Sequence, residues 1–229
     1  MEALILPYLN QYKREVKDKI SAQLANNITD LIATEAFDFH FLKNQDSRDF
    51  HVFYYASISN RDNFLSADNF FRTFKQKYSL QGIDNQYLNR LEKEKATIIQ
   101  LIDNDDLATL YFKFFAKAQI QQKEKRTTKN LGSFFAKLVH TFRPDSFCAL
   151  DNPIKKYFGL NKESFYFAFA VISAAYREWS DENTERMRRV RVQLENNKVG
   201  ATYSDKMTDL KLLDLIFWFK ANVSVDQLS

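Results

Sequence analysis

A lysine and an aspartate fourteen positions apart, Lys137 and Asp151, carry the most chemistry in this chain, within GSFFAKLVHTFRPDSFCALDNPIKKYFGL over residues 132–160. An ionised carboxylate in a cleft stabilises an oxocarbenium-like centre as a sugar loses its base, and it orients an attacking water. An amine of depressed pKa attacks the sugar carbon and forms a Schiff base. Together these are two steps of base excision. The same residues also have a purely structural reading, in which Asp151 caps a helix and Lys137 is a surface lysine.

The elements that must position the two groups follow from the prolines between and beyond them. Pro144 cannot continue the helix carrying Lys137 and biases Arg143 away from α, so the chain reverses over residues 143–146. Pro153 suits the first turn of a second helix, with Asp151 or Asn152 as its cap. A carboxylate at that N-terminus sits beside free amide hydrogens and is favoured in its ionised form.

Composition predicts the class of fold around this pair. The 229 residues contain 4 glycines and 3 prolines, too few for the tight turns of a sandwich or barrel, and 45% hydrophobic residues, enough for a sizeable core. A mostly α protein is expected, in two helical lobes over residues 1–120 and 121–229 that form one compact unit. The 22 phenylalanines and 11 tyrosines read mainly as aromatic packing between helices, with a minority available to stack on a base or line a ligand.

Helical periodicity runs through Tyr8, Tyr12, Val16, Ile20 and Leu24, with Pro7 in the first turn, and again from Asp30 to Ala36. Phe37 to Phe41 then alternates with period two and Phe50 to Ser57 is rich in strand formers, which offers a small β-hairpin near residues 37–57. Asp68 is placed to cap a helix of Phe70, Phe71, Phe74 and Tyr78 that Gly82 stops. A longer helix is expected from about Asp84 to Ile102, with a break and new cap over residues 103–106. Residues 121–129 read as a charged connector. Beyond the Lys137 and Asp151 helices, Phe165, Phe169, Ile172, Tyr176 and Trp179 mark a buried helix, Arg186 to Gln193 a basic one, and Leu210 to Phe219 an amphipathic one. On the last, Asp214 aligns with Lys211 and Trp218 as an exposed face.

Net charge is +4, only mildly basic, yet its distribution is uneven. Lys113 to Arg143 holds eight basic residues against Glu124 alone, a local net charge of +7. Arg186, Arg188, Arg189 and Arg191 form a second cluster. If both share one side, Lys125, Arg126, Lys129, His140, Arg143, Arg188 and Arg189 are the candidates to meet nucleic-acid phosphates. The alternative is a solvated face paired with residues such as Glu185 and Glu195.

The single cysteine, Cys148, excludes an intrachain disulfide and reads as a small core side chain. With no basic-then-apolar leader, a reducing cytoplasmic setting is expected. The longest apolar run, Phe165 to Tyr176, is too short for the roughly 18 residues of a membrane span, so no membrane partner is expected. His40 and His51 have no cysteine nearby and no repeated spacing, so neither a metal site nor a cofactor is expected. Gly-rich phosphate loops and Ser-His-Asp spacing are absent, which sets aside nucleotide and serine hydrolases.

Lys137-Leu138-Val139-His140, Pro144, Phe147, and Asp151 followed by Ile154 resemble a pattern of uncharacterised bacterial proteins distantly similar to the helix-hairpin-helix DNA glycosylase superfamily. Leu210, Asp214 and Trp218 resemble their terminal helix. The likeness covers about the last 90 residues. It implies DNA as partner, Asp151 as catalytic carboxylate and Lys137 as the nucleophile of a bifunctional enzyme. The superfamily's Leu-Pro-Gly-x-Gly turn is here Asn130-Leu131-Gly132-Ser133, and a four-cysteine iron–sulfur site is excluded. The expected function is therefore a helical nucleic-acid-binding protein that recognises or excises a modified base. The alternative is a non-catalytic factor that binds another protein, such as an antitoxin, immunity or phage-defence accessory protein.

Overall fold

The computed structural model describes residues 2–59, 62, 66–122 and 125–223, and the fold is mostly α. The chain divides into two units, one of residues 1–49 with 144–229 and the other of residues 50–143. The lobes expected from sequence, residues 1–120 and 121–229, meet at a different point in the chain. The first unit is discontinuous because helices remote in sequence share its core, a pairing that linear composition does not record.

In the first unit, α1 (Glu2–Gln23) packs along α10 (Phe165–Glu182). Val16, Ile20 and Leu24 are buried at the expected spacing of four. The seam is edged by Lys13 to Glu178 at 2.7 Å and Lys17 to Glu182 at 2.5 Å. Pro7 lies inside α1 rather than in its first turn. α2 (Thr29–Asp38) packs on α11 (Thr184–Asn196) and α12 (Asp209–Asn222), and α9 (Asn152–Tyr157) on α12. A 3₁₀ segment, Gly200–Lys206, leads into α12.

The expected hairpin near residues 37–57 is not formed. α2 runs into a π-helical turn, Phe39–Lys43, and α3 (Gln45–Ser59) follows. The alternation of Phe37, Phe39 and Phe41 misleads because a period-two set also contains an i, i+4 pair. Phe37 and Phe41 are that pair, both buried with ring centroids 6.5 Å apart.

The second unit contains α4 (Phe70–Lys77), α5 (Asn85–Lys93), α6 (Lys95–Asp103), α7 (Leu107–Leu110), a π-helical turn at Tyr111–Phe115, β1 (Ala118–Gln122), β2 (Lys125–Lys129) and α8 (Gly132–Phe142). Asn69, in the left-handed region at φ 61°, precedes α4 in place of the expected Asp68 cap. The single helix expected from Asp84 is divided at Glu94 into α5 and α6. Asp84 and Asp106 do cap, accepting from Tyr87 N at 2.9 Å and Thr109 N at 3.3 Å.

The hairpin of this protein lies where a connector was expected. β1 and β2 are antiparallel, with Gln119 opposite Thr128 and Gln121 opposite Arg126. Ala118 and Ile120 bury one face, and the polar alternates lie on the other. Phe71, Phe74, Phe115, Phe134 and Phe135 make the core of this unit, Phe74 stacking on Phe134 at 5.3 Å. Among the described residues, no helix is long and apolar enough to cross a membrane.

Candidate nucleic-acid interface

Lys137 and Asp151 belong to different units. Asp151 starts α9 as its N-cap, 7% exposed, its Oδ1 accepting from Ile154 N at 3.0 Å while its carbonyl accepts from Lys155 N at 2.9 Å. Pro153 in the first turn completes the expected start signal. Lys137, half-buried on α8, holds its ammonium 5.7 Å from the Tyr78 ring centroid.

The loop entering Asp151 is fixed by side chains that the sequence did not single out. Cys148 N donates to Ser173 Oγ at 3.0 Å and Ala149 N to Asp214 Oδ2 at 2.7 Å. A buried loop must pair its backbone amides, and these two hydroxyl and carboxylate acceptors do so. Asp214 and Lys211, expected on an exposed face, are 3% and 5% exposed. α12 is buried nearly all round rather than amphipathic. Burial and then the Asp214 carboxylate raise the Cys148 thiol well above its usual range, which leaves it an inert core group.

His140 does not face a phosphate. It is wholly buried, with Nε2 2.9 Å from the Tyr54 hydroxyl. Arg143, at the end of α8, donates to the Ile102 carbonyl at 3.2 Å and lies 3.8 Å from Asp105. The arginines of α11 are engaged inside their own unit. Arg188 forms a two-pronged pair with Glu185 at 2.8 and 2.7 Å, and Arg189 another with Asp30 at 2.9 and 2.8 Å. Arg191 pairs with Asp209 and donates to the Met207 carbonyl. Arg189 and Arg191 thereby staple α11 to α2 and α12, while the Arg188 pair lies within α11 itself.

The hairpin cations are differently placed. Lys125 and Arg126 are exposed and, among the described residues, have no carboxylate partner; Lys129 is half-buried, 3.5 Å from the Gly82 carbonyl. Lys113 and Lys117 are exposed on the approach to β1. Lys123 and Glu124 lie outside the described residues. Beside β2 a groove of about 330 Å³ opens between α5 and the hairpin, lined by Asp84, Tyr87, Arg90, Gln119, Gln121 and Arg126 among others.

Asp84 builds this groove. Its carboxylate accepts from Tyr87 N at 2.9 Å and from Gln121 N at 2.5 Å, which ties β1 to the start of α5. Desolvation alone would raise its pKa, but the backbone hydrogen bonds from Tyr87, Gln121 and Gln86 outweigh it and hold the group below its usual value. Charge follows the same division. The second unit carries fifteen basic and nine acidic residues, net +6, and the first eighteen and twenty, net −2.

Comparison with protein-family models, with curated proteins and with solved structures finds no match. The likeness to helix-hairpin-helix glycosylases therefore rests on its motif residues alone.

Proposed function

We propose that the protein binds nucleic acid through the hairpin side of its second unit, in a cytoplasmic setting. The observation that carries this reading is the segregation of charge, net +6 in the second unit against −2 in the first. Exposed lysines and arginines without carboxylate partners release counterions when they meet phosphates, and that release drives association. Lys125, Arg126 and Lys129 are the contacts, with Lys113 and Lys117 extending the surface. Arg188 and Arg189 stand apart, because their charge is already matched by Glu185 and Asp30.

Recognition, rather than excision, is the activity this reading favours. The Asp151 carboxylate caps its helix, and the Lys137 ammonium lies over the Tyr78 ring. The test is fluorescence anisotropy with labelled single-stranded and duplex oligonucleotides at about 50 mM salt. The triple substitution Lys125→Gln, Arg126→Gln, Lys129→Gln is expected to weaken binding at least tenfold, and Arg188→Gln to leave it unchanged. Binding insensitive to the hairpin substitutions, or a nuclease-resistant protein partner with no oligonucleotide binding, overturns the proposal.

A further inference from the structure

We propose that the groove between α5 and the hairpin receives one nucleotide of a single-stranded nucleic acid, with its phosphate between Arg90 and Arg126 and its base edge toward Gln86 and Gln119. This rests on the nucleic-acid reading above and narrows it to a strand class and a place.

Size is the first argument. At about 330 Å³, the groove sits at the lower end of the ~300–1,000 Å³ range of small-ligand clefts. That volume is on the scale of one nucleotide rather than of a paired duplex.

The two guanidiniums supply the second argument. Arg90 lies with its guanidinium carbon 5.0 Å from the Tyr87 ring centroid. That ring is itself fixed, because Tyr87 is buried and its hydroxyl donates to the Phe114 carbonyl. An arginine placed over a fixed ring loses less freedom on gripping a phosphate, and its planar fork suits two phosphate oxygens at once. Arg126 enters from β2, exposed and, among the described residues, without a carboxylate partner. The acid lining the same groove, Asp84, is occupied by backbone amides of Tyr87 and Gln121.

Amide chemistry supplies the third. The Gln119 side chain donates to Thr128 Oγ1 at 2.8 Å, and its carbonyl oxygen is an acceptor. Gln86 brings both a donor and an acceptor to the opposite wall. Such groups read the pairing edges of a base, and those edges are open only in an unpaired strand.

The experiment uses the full chain and anisotropy of a labelled mixed-sequence 12-mer, single-stranded or annealed to its complement, with thymidine monophosphate as competitor. Arg90→Gln and Arg126→Gln are compared with wild type after circular dichroism confirms folding; both positions are exposed, so the fold is expected to persist. The expected result is single-strand affinity at least tenfold above duplex, a five- to twentyfold loss in each variant, and competition by the mononucleotide only at far higher concentration. Equal affinity for duplex, or Arg90→Gln binding like wild type while hairpin lysine substitutions still weaken it, overturns this inference and leaves general nucleic-acid binding standing. Competition by the mononucleotide at the oligonucleotide's own concentration overturns the strand assignment in favour of a small-molecule site. Absence of binding to every oligonucleotide removes both proposals.

Discussion

Asp151 illustrates how one carboxylate can satisfy a catalytic pattern and a structural one at the same time. Its Oδ1 accepts the Ile154 amide, and the residue is buried. Loss of an N-cap costs about 1 kcal/mol, so Asp151→Ala is expected to lower the urea midpoint, whereas Asp151→Asn, which caps nearly as well, leaves it close to wild type. Oligonucleotide affinity is expected to stay constant in both; a selective loss of binding or base release in Asp151→Asn would restore the catalytic reading. His40 gives a second residue-scale expectation. Burial, reinforced by Lys211 and opposed by the hydrogen bond to the Leu215 carbonyl, pushes its pKa down from 6.5 to about 4. Above pH 6.5 the ring is neutral in both folded and unfolded chains. Between 6.5 and 4 the unfolded chain takes up a proton that the folded chain refuses, so stability falls as pH drops through this window. From pH 7 to 5 the loss is about 2 kcal/mol. His40→Gln, which keeps a donor for Leu215, is expected to lose less stability over the same range in urea titrations at the two pH values.

Among the elements, those written by local rules were legible and those set by distant partners were not. Asp84, Asp106 and Asp151 announce their helices because a cap and the amide it satisfies lie within three residues. The apolar spacing of Phe165, Phe169, Ile172, Tyr176 and Trp179 likewise gave α10, whose inward face it fills. The hairpin was missed because only Ala118 and Ile120 point inward on β1 and the rest is Gln, Lys, Arg and Thr, leaving almost no apolar alternation to read. Asp214 and Lys211 were misassigned for a related reason: charge ordinarily signals exposure, and the amide that accounts for Asp214 belongs to Ala149, 65 residues earlier. The arginines of α11 show the same limit. Their clustering is visible in sequence, but Asp30, which neutralises Arg189, is 159 residues away. The candidate site was therefore half legible, since Lys125, Arg126 and Lys129 stand out as candidates in the charge run, while the groove lined by Arg90 and Asp84 depends on the pairing of α5 with β1.

Across the whole molecule, a net charge of +4 conceals two units of opposite sign. An average that small would give weak, diffuse attraction to a polyanion, whereas +6 concentrated over residues 50–143 gives a local field that a flexible strand can follow. The two descriptions differ in how binding responds to salt. For single strands each neutralised phosphate contributes about 0.7 to the slope of log affinity against log salt. Neutralising Lys125, Arg126 and Lys129 together is expected to reduce that slope by about 2 if each contacts one phosphate. Arg188→Gln with Arg189→Gln removes as much formal charge per residue, but those charges are already matched by Glu185 and Asp30, so no phosphate contact is expected to be lost. The slope of that variant is expected to match wild type. If both variants shifted the slope in proportion to charge removed, net charge alone would govern binding and the hairpin would have no special role; a shift confined to the hairpin variant locates the contact on β2.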